Sequence, residues 1–258
     1  MEQSPSPVHR RRPEIDGRRK DGQMIEVTQI SKTYRSKVAV DSATFSAPPG
    51  TVTGLIGPNG SGKSTTLRML LGLTRPTAGT ATIGGRRYAD LGPFPLRVVG
   101  ALLDNASPVP ERRGVDHLRW VARSNGIGRA RVEQVLGVVG LADAGRKRVK
   151  QYSLGMKQRL GIAVALLGEP EVIILDEPMN GLDPEGIRWI RELLVQRAAE
   201  GATVLVSSHF MKELESVAER VVVLARGRVR AEGTIAEVTG GHESLEAAYF
   251  HHTSAVPA

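Results

Sequence analysis

From Ile25 onward, apolar and polar residues alternate through a β-branched stretch, IEVTQISKTY, which predicts a strand. VAVDSATFSAPPG predicts a second strand, stopped by Pro48-Pro49-Gly50, and TVTGLIG a third that runs into a glycine-rich loop. Leu67, Leu70 and Leu71 then share one helical face, and that helix is expected to end near Gly72. Residues 80–104 read as short strands and turns. Residues 105 to about 150 read as mostly helical and polar, with Val132, Val135, Leu136 and Val139 at helical spacing. The pattern continues with a helix bearing Leu160, Ala163, Val164 and Leu167, a buried strand (EVIILD) and a helix starting at Pro184. A strand (ATVLVSS), a short helix (MKELESVAER) and a strand (RVVVLARGRV) complete it. Strands alternating with helices predict an α/β fold, its mostly parallel sheet covered on both faces. There is no internal repeat.

The two ends lack this periodicity. Residues 1–23, rich in Pro, Arg, Ser and Gly, are expected to form a disordered basic tail. Its Arg10-Arg11-Arg12 cluster is read as solvated, with anionic lipid or a nucleic-acid backbone as the alternative contact. Residues 241–258 are taken as a C-terminal tail, loose at HHTSAVPA. The longest apolar runs, Val172–Leu175 and Val221–Leu224, are strand-length, far short of the roughly 18 residues of a membrane-spanning helix. No apolar run follows the N-terminal arginines, which argues against a secretory signal. Cysteine is absent, which excludes disulfides and thiolate metal sites. The 258 residues carry a net charge of +8, but the arginines are scattered and only 4% of residues are aromatic. A solvated basic surface therefore stands ahead of nucleic-acid binding.

The loop after the third strand reads Gly57-Pro58-Asn59-Gly60-Ser61-Gly62-Lys63-Ser64, matching G-x-x-x-x-G-K-[ST] between a predicted strand and a predicted helix. Glycines let successive backbone N–H groups turn toward phosphate oxygens, and the helix N-terminus adds its positive dipole end. Lys63 is expected to reach the β- and γ-phosphates, and the Ser64 hydroxyl to be a hard ligand for Mg²⁺. Thr65, next along, belongs to the same expected nucleotide-binding stretch. The pattern points to a nucleoside triphosphate without saying how its energy is used. Farther on, the buried run Val172–Leu175 ends in Asp176-Glu177, at the strand end where ligands bind in open α/β sheets. Asp176 is placed to hold Mg²⁺, and Glu177 to polarise an attacking water.

Tyr152-Ser153-Leu154-Gly155-Met156-Lys157-Gln158-Arg159 resembles the signature of ABC ATPases, usually LSGGQ followed by QR. Asn180-Gly181-Leu182-Asp183 resembles that family's D-loop, His209 its switch histidine, and Tyr34 the aromatic that stacks on adenine. The resemblance spans roughly residues 24–235 with every motif in order. It implies a cassette (residues 24–240) with an N-terminal antiparallel β part, a central sheet and a helical subdomain at about 105–168. It also implies ATP and Mg²⁺ as cofactors and a head-to-tail pair of cassettes, a homodimer ahead of a heterodimer. In such a pair the Ser153 hydroxyl and Gly155 N–H face ATP held by the partner, Asp183 communicates across the interface, and His209 contacts the γ-phosphate. Ser153 is also expected to cap the helix that follows it.

The sequence departs from the family pattern at Leu154 and Met156, and at Asp104, which stands where a glutamine is usual. An S-L-G-M signature with an acid at that position is similar to bacitracin and lantibiotic self-resistance exporters. Asp104 is then expected to approach Mg²⁺ and to couple the nucleotide to a membrane subunit. The resemblance implies a peripheral ATPase on the cytoplasmic face of the cell membrane, working beneath a separate permease that exports a drug or antibiotic peptide, with no nucleic-acid partner. A soluble ABC ATPase acting on DNA or the ribosome is the alternative. A small kinase or GTPase fits less well, because such enzymes complete their sites without a signature segment or D-loop.

Overall fold

The computed structural model describes residues 24–103 and 108–254. The expectations for residues 1–23, Asp104 and residues 255–258 lie outside the described residues.

The first half of the described chain contains β1 (Ile25–Tyr34), β2 (Lys37–Ala47), β3 (Val52–Ile56), α1 (Lys63–Leu70), β4 (Ala78–Ile83) and β5 (Val99–Leu102). Three helices follow, α2 (Gly114–Ser124), α3 (Arg129–Val138) and α4 (Leu154–Leu166). Then come β6 (Val172–Asp176), α5 (Pro184–Ala199), β7 (Thr203–Ser208), α6 (Met211–Glu215), β8 (Arg220–Ala225), β9 (Arg228–Thr234), α7 (Ile235–Thr239) and α8 (Leu245–Ser254). The order β2-β1-β4 makes an antiparallel sheet, and β5-β6-β7-β3-β8-β9 a central sheet that is parallel except for β9.

Continuous apolar runs build the central sheet because both of its faces are covered. In β6, Ile173 joins the core formed with the helices, whereas Ile174 joins the core beneath the antiparallel sheet. Neighbours on the other strands divide the same way: Val204 and Val206 on the helical side, Leu205 on the other. Successive strand residues point to opposite faces, so a strand wet on neither side is apolar at most positions, although Thr53 of β3 is buried too. Leu67 and Leu70 of α1 complete the core shared with Ile25, Ile30 and Phe45 of the antiparallel sheet. In the helical part, Leu118 of α2, Val132, Val135 and Leu136 of α3 and Leu160 of α4 pack together.

Three expectations are corrected. RVVVLARGRV is not one strand: it is the hairpin β8–β9, turned at Arg226 (φ 50°) and Gly227 (φ 77°). Two central residues at positive φ form the tight turn whose twist suits paired strands. MKELESVAER is helical only over Met211–Glu215. The end of the chain is not loose through His251 and His252, because α8 runs to Ser254. Leu245, Ala248 and Tyr249, at helical spacing, are buried there. The His252 ring lies 3.0 Å from the Val238 carbonyl oxygen.

Where β5 passes beneath α4, Gly100 leaves no room for a side chain: a Cβ would collide with the Ala165 carbonyl oxygen and lie 2.7 Å from its carbon. A helix backbone cannot yield as a side chain can. Gly100→Ala is therefore expected to cost about 1–3 kcal/mol, read as a lower urea midpoint at unchanged m-value.

Candidate functional site

Every parallel strand of the central sheet points its C-terminal end the same way, and the site is built where β3, β6 and β7 stop. β3 runs into the loop 57–62, and α1 starts at Lys63, so the helix N-terminus opens onto the loop. Gly62 adopts φ 108°, and a Cβ there would lie 2.7 Å from the Ala39 carbonyl oxygen. Only glycine fits both restrictions. The loop is braced from behind: Gly227 N–H donates to the Ser61 carbonyl (2.9 Å), and Asp41 N–H donates to the Gly227 carbonyl (2.8 Å). The β8–β9 turn that the sequence pattern conceals thus holds the loop's shape.

Lys63 is 5% exposed. Its Nζ donates to the Gly57 carbonyl (2.6 Å) and pairs with Glu177 Oε1 (3.2 Å). Glu177 Oε2 lies 2.8 Å from His209 Nδ1 and accepts from His209 N–H at 3.3 Å. Lys63, Glu177 and His209 therefore form one connected group joining the ends of β3, β6 and β7. A buried ion pair holds because each charge keeps a close partner; removing either strands the other.

Glu177 has φ 51°, left-handed backbone that a non-glycine residue adopts at a cost of about 1–3 kcal/mol. Hydrogen bonds from both sides impose it. Its N–H donates to the Ser207 carbonyl (3.2 Å) and lies 3.0 Å from the Ser207 hydroxyl. Its carbonyl accepts from Gln158 Nε2 and from Asn180 N–H, each at 3.2 Å. The turn of the backbone directs the Glu177 side chain toward Lys63 while Asp176 remains under the sheet end. Asp176 Oδ1 accepts from the Ser207 hydroxyl at 2.5 Å, whereas its buried Oδ2 has no hydrogen-bond partner. An orphaned carboxylate oxygen and the Ser64 hydroxyl are hard oxygen donors of the kind Mg²⁺ takes, so these residues fit that ion.

A cleft of 460 Å³ lies over this group. Of the residues singled out in the sequence, Tyr34, Pro58, Asn59, Gly60, Gly62, Lys63, Ser64, Thr65, Glu177 and His209 line it. Gly57 and Ser61 of the same loop are buried and outside this lining. Tyr34, at the mouth, is 47% exposed, with Lys32 Nζ 5.0 Å from its ring centroid. Ser153, Gly155 and Asp183 are not among the cleft's lining. Ser153 caps α4, accepting from Met156 N–H at 3.2 Å, and Asp183 caps α5, accepting from Gly186 N–H at 2.8 Å. These two segments meet each other instead, since a Cβ on Gly155 would lie 3.2 Å from the Gly181 carbonyl oxygen.

From sequence, Ser207, Lys37 and Ala39 have no assigned role, and Gln158 and Asn180 are named only within the signature and D-loop segments; Lys37 and Ala39 join Asn180 in the cleft wall. Ser207 did carry a signal. It is the penultimate residue of an all-buried strand, and a buried hydroxyl must find a partner.

A phosphate-type loop at the end of a parallel strand, beside a strand ending in two acids, defines a nucleotide-binding α/β protein. The ABC transporter family profile matches residues 40–180. The lantibiotic transport ATP-binding protein SrtF of Streptococcus pyogenes is 35% identical over 223 residues, covering 86% of this chain and 94% of that one. The bacitracin transport ATP-binding protein BcrA of Enterococcus faecalis is 39% identical over 217 residues, covering 83% and 70%. A solved structure described as dimeric, that of the bacterial ABC transporter cassette MJ0796, superposes with a TM-score of 0.75 at 25% identity, covering 82% of this chain and 98% of that one. The chain belongs to the ABC transporter family as an ATP-binding, ATP-hydrolysing cassette.

Ser207→Ala removes the hydroxyl that joins Asp176 to the Glu177 backbone and leaves a second buried Asp176 oxygen unpaired. Stability is expected to fall by about 1–3 kcal/mol in urea unfolding, and ATP turnover to fall with it in a phosphate-release assay.

Proposed function

We propose that this cassette powers an exporter of antibiotic peptides or related drugs, pairing head to tail with a second cassette beneath a separate permease at the cytoplasmic face of the membrane. A homodimer is the simpler arrangement. The observation that carries the pairing is the division of the motifs. Lys63, Glu177 and His209 share one cleft, whereas Ser153, Gly155 and Asp183 lie outside its lining. A second cassette facing this one would present its own Ser153 and Gly155 to the open side of the cleft. The dimeric relative supports that arrangement, and the transport proteins for lantibiotic and bacitracin support the substrate class. Among the described residues no helix is long and apolar enough to cross a membrane, so a spanning partner is part of the proposal.

In this reading Tyr34 stacks on the adenine, and the backbone of residues 57–65 with Lys63 holds the phosphates. Ser64 and Asp176 would hold Mg²⁺, which would supply charge neutralisation at the phosphates. Water attacks the γ-phosphorus, the bond to the ADP oxygen breaks, and Glu177 accepts the proton of the attacking water. His209 holds the Glu177 carboxylate in place and reaches the γ-phosphate. The loop amides and Lys63 stabilise charge that develops during transfer, which is where most of the acceleration in phosphoryl transfer arises. Because ATP contacts both cassettes, it shifts the population toward the closed pair, and hydrolysis releases it.

Glu177→Gln is expected to keep ATP binding and ATP-dependent dimerisation while losing about 100-fold or more in kcat. Turnover near that of the unmodified chain would remove Glu177 from the role of base. With the same variant tagged, mild-detergent extracts of native membranes containing Mg-ATP should yield a stoichiometric integral membrane protein. Recovery of DNA or ribosomes without one would overturn the exporter reading and leave the ATPase intact.

A further inference from the structure

The positive charge is not spread evenly over the fold. Residues 110–115 and 145–150 are far apart in sequence but run side by side. Arg113 bridges Arg148, Val149 N–H donates to the Arg112 carbonyl (2.9 Å), and Lys150 N–H donates to the Pro110 carbonyl (2.9 Å). Gly114, Val115 and Val149 are buried beneath, so Arg113, Arg146, Lys147, Arg148 and Lys150 stand exposed above them. Arg148 and Lys150 share a single carboxylate, Glu111, at 3.4 and 3.0 Å. Among the described residues, no acidic side chain lies within ion-pair distance of Arg113, Arg146 or Lys147. At the edge of the patch Trp120 is 60% exposed, and the Arg112 guanidinium lies 5.1 Å from its ring centroid.

We propose that this paired strap, with Trp120 at its rim, is a contact surface for anionic lipid headgroups. The reading rests on the cassette's proposed place beneath a membrane permease. The chemistry favours lipid over other polyanions. Arg113 and Arg146 line a cleft with Asp116, Glu133 and Asp143, whereas Lys147, Arg148 and Lys150 stand exposed along the ladder outside that lining, and such a row of cations suits a plane of negative charge. Each basic side chain near such a surface adds favourable energy without a defined partner. A partly exposed tryptophan beside them fits the headgroup layer, where an amphipathic ring meets both water and hydrocarbon. Nucleic acid fits less well, because base stacking needs several aromatic platforms and Trp120 stands alone in the patch. The nucleotide cleft does not include these residues, so membrane contact and ATP binding can be separated experimentally.

The full chain and the triple variant Arg113→Gln, Arg146→Gln and Lys147→Gln would be compared by co-sedimentation. The vesicles are phosphatidylcholine mixed with phosphatidylglycerol, and phosphatidylcholine alone. Both proteins carry Arg10–Arg12, so the difference between them reports the strap. The unmodified chain is expected to bind the anionic vesicles in a salt-sensitive way, and the triple variant at least about tenfold more weakly. Both should show equal basal ATPase activity and equal thermal midpoints. Trp120→Ala is expected to weaken vesicle binding without altering its salt dependence. Equal vesicle binding by the unmodified and triple-variant proteins would overturn the proposal. So would tighter binding of a DNA duplex than of vesicles through the same three residues. Either result, with ATPase activity intact, leaves the exporter reading standing; loss of the membrane partner in the detergent extraction would sink that reading separately.

Discussion

The site depends on one backbone conformation, the left-handed turn at Glu177 immediately after β6. A residue continuing the strand would send its carboxylate to the face of the sheet opposite Asp176. The turn sends it toward Lys63 and His209. It survives because its backbone N–H is held by Ser207 and its carbonyl by Gln158 and Asn180. The conformation is over-determined by its surroundings, as a strained residue must be.

Those partners come from different parts of the fold. Ser207 lies next to the end of β7, Asn180 lies in the loop between β6 and α5, and Gln158 belongs to α4, the helix capped by Ser153. A displacement of α4 therefore acts on the Glu177 backbone through one hydrogen bond, with no need for a long relay. The same helix presses on β5 at Gly100 and on Leu102 through Gly161. The helical part of the chain is thus tied to the sheet by close backbone approach and tied to the carboxylate by a side-chain amide. This gives a physical route between the signature segment and the chemistry proposed for the cleft.

Much of this was legible in the sequence because the relevant constraints are local. β6 is an apolar run up to its terminal Asp176, the mark of a strand covered on both faces, and the glycine-rich loop follows from its spacing. What escaped sequence reading is non-local. Ser207 matters because β7 lies beside β6 in parallel register, with Asp176 opposite it. The hairpin at Arg226-Gly227 was hidden because arginine is an unusual occupant of a left-handed turn position, and only the following glycine marked it. α8 had the right spacing at Leu245, Ala248 and Tyr249, but adjacent histidines and a polar end masked it. The basic strap was invisible for the same reason: its two halves look like scattered charge until the backbone pairs them.

The position of β3 has a consequence for the chain as it is made. β3 lies between β7 and β8, with Gly54 opposite both Val206 and Val221, and the loop after it is braced by Gly227. The segment proposed to cradle phosphate leaves the ribosome early, yet the strands on both sides of β3 and the turn that braces the loop are synthesised much later. A nascent cassette accordingly lacks the sheet neighbours of this segment until residues 203–227 have emerged. Sheet pairings of such wide sequence separation are slow to close, so competence to engage nucleotide waits on β7, β8 and the turn after β8 and not on the glycine-rich segment alone.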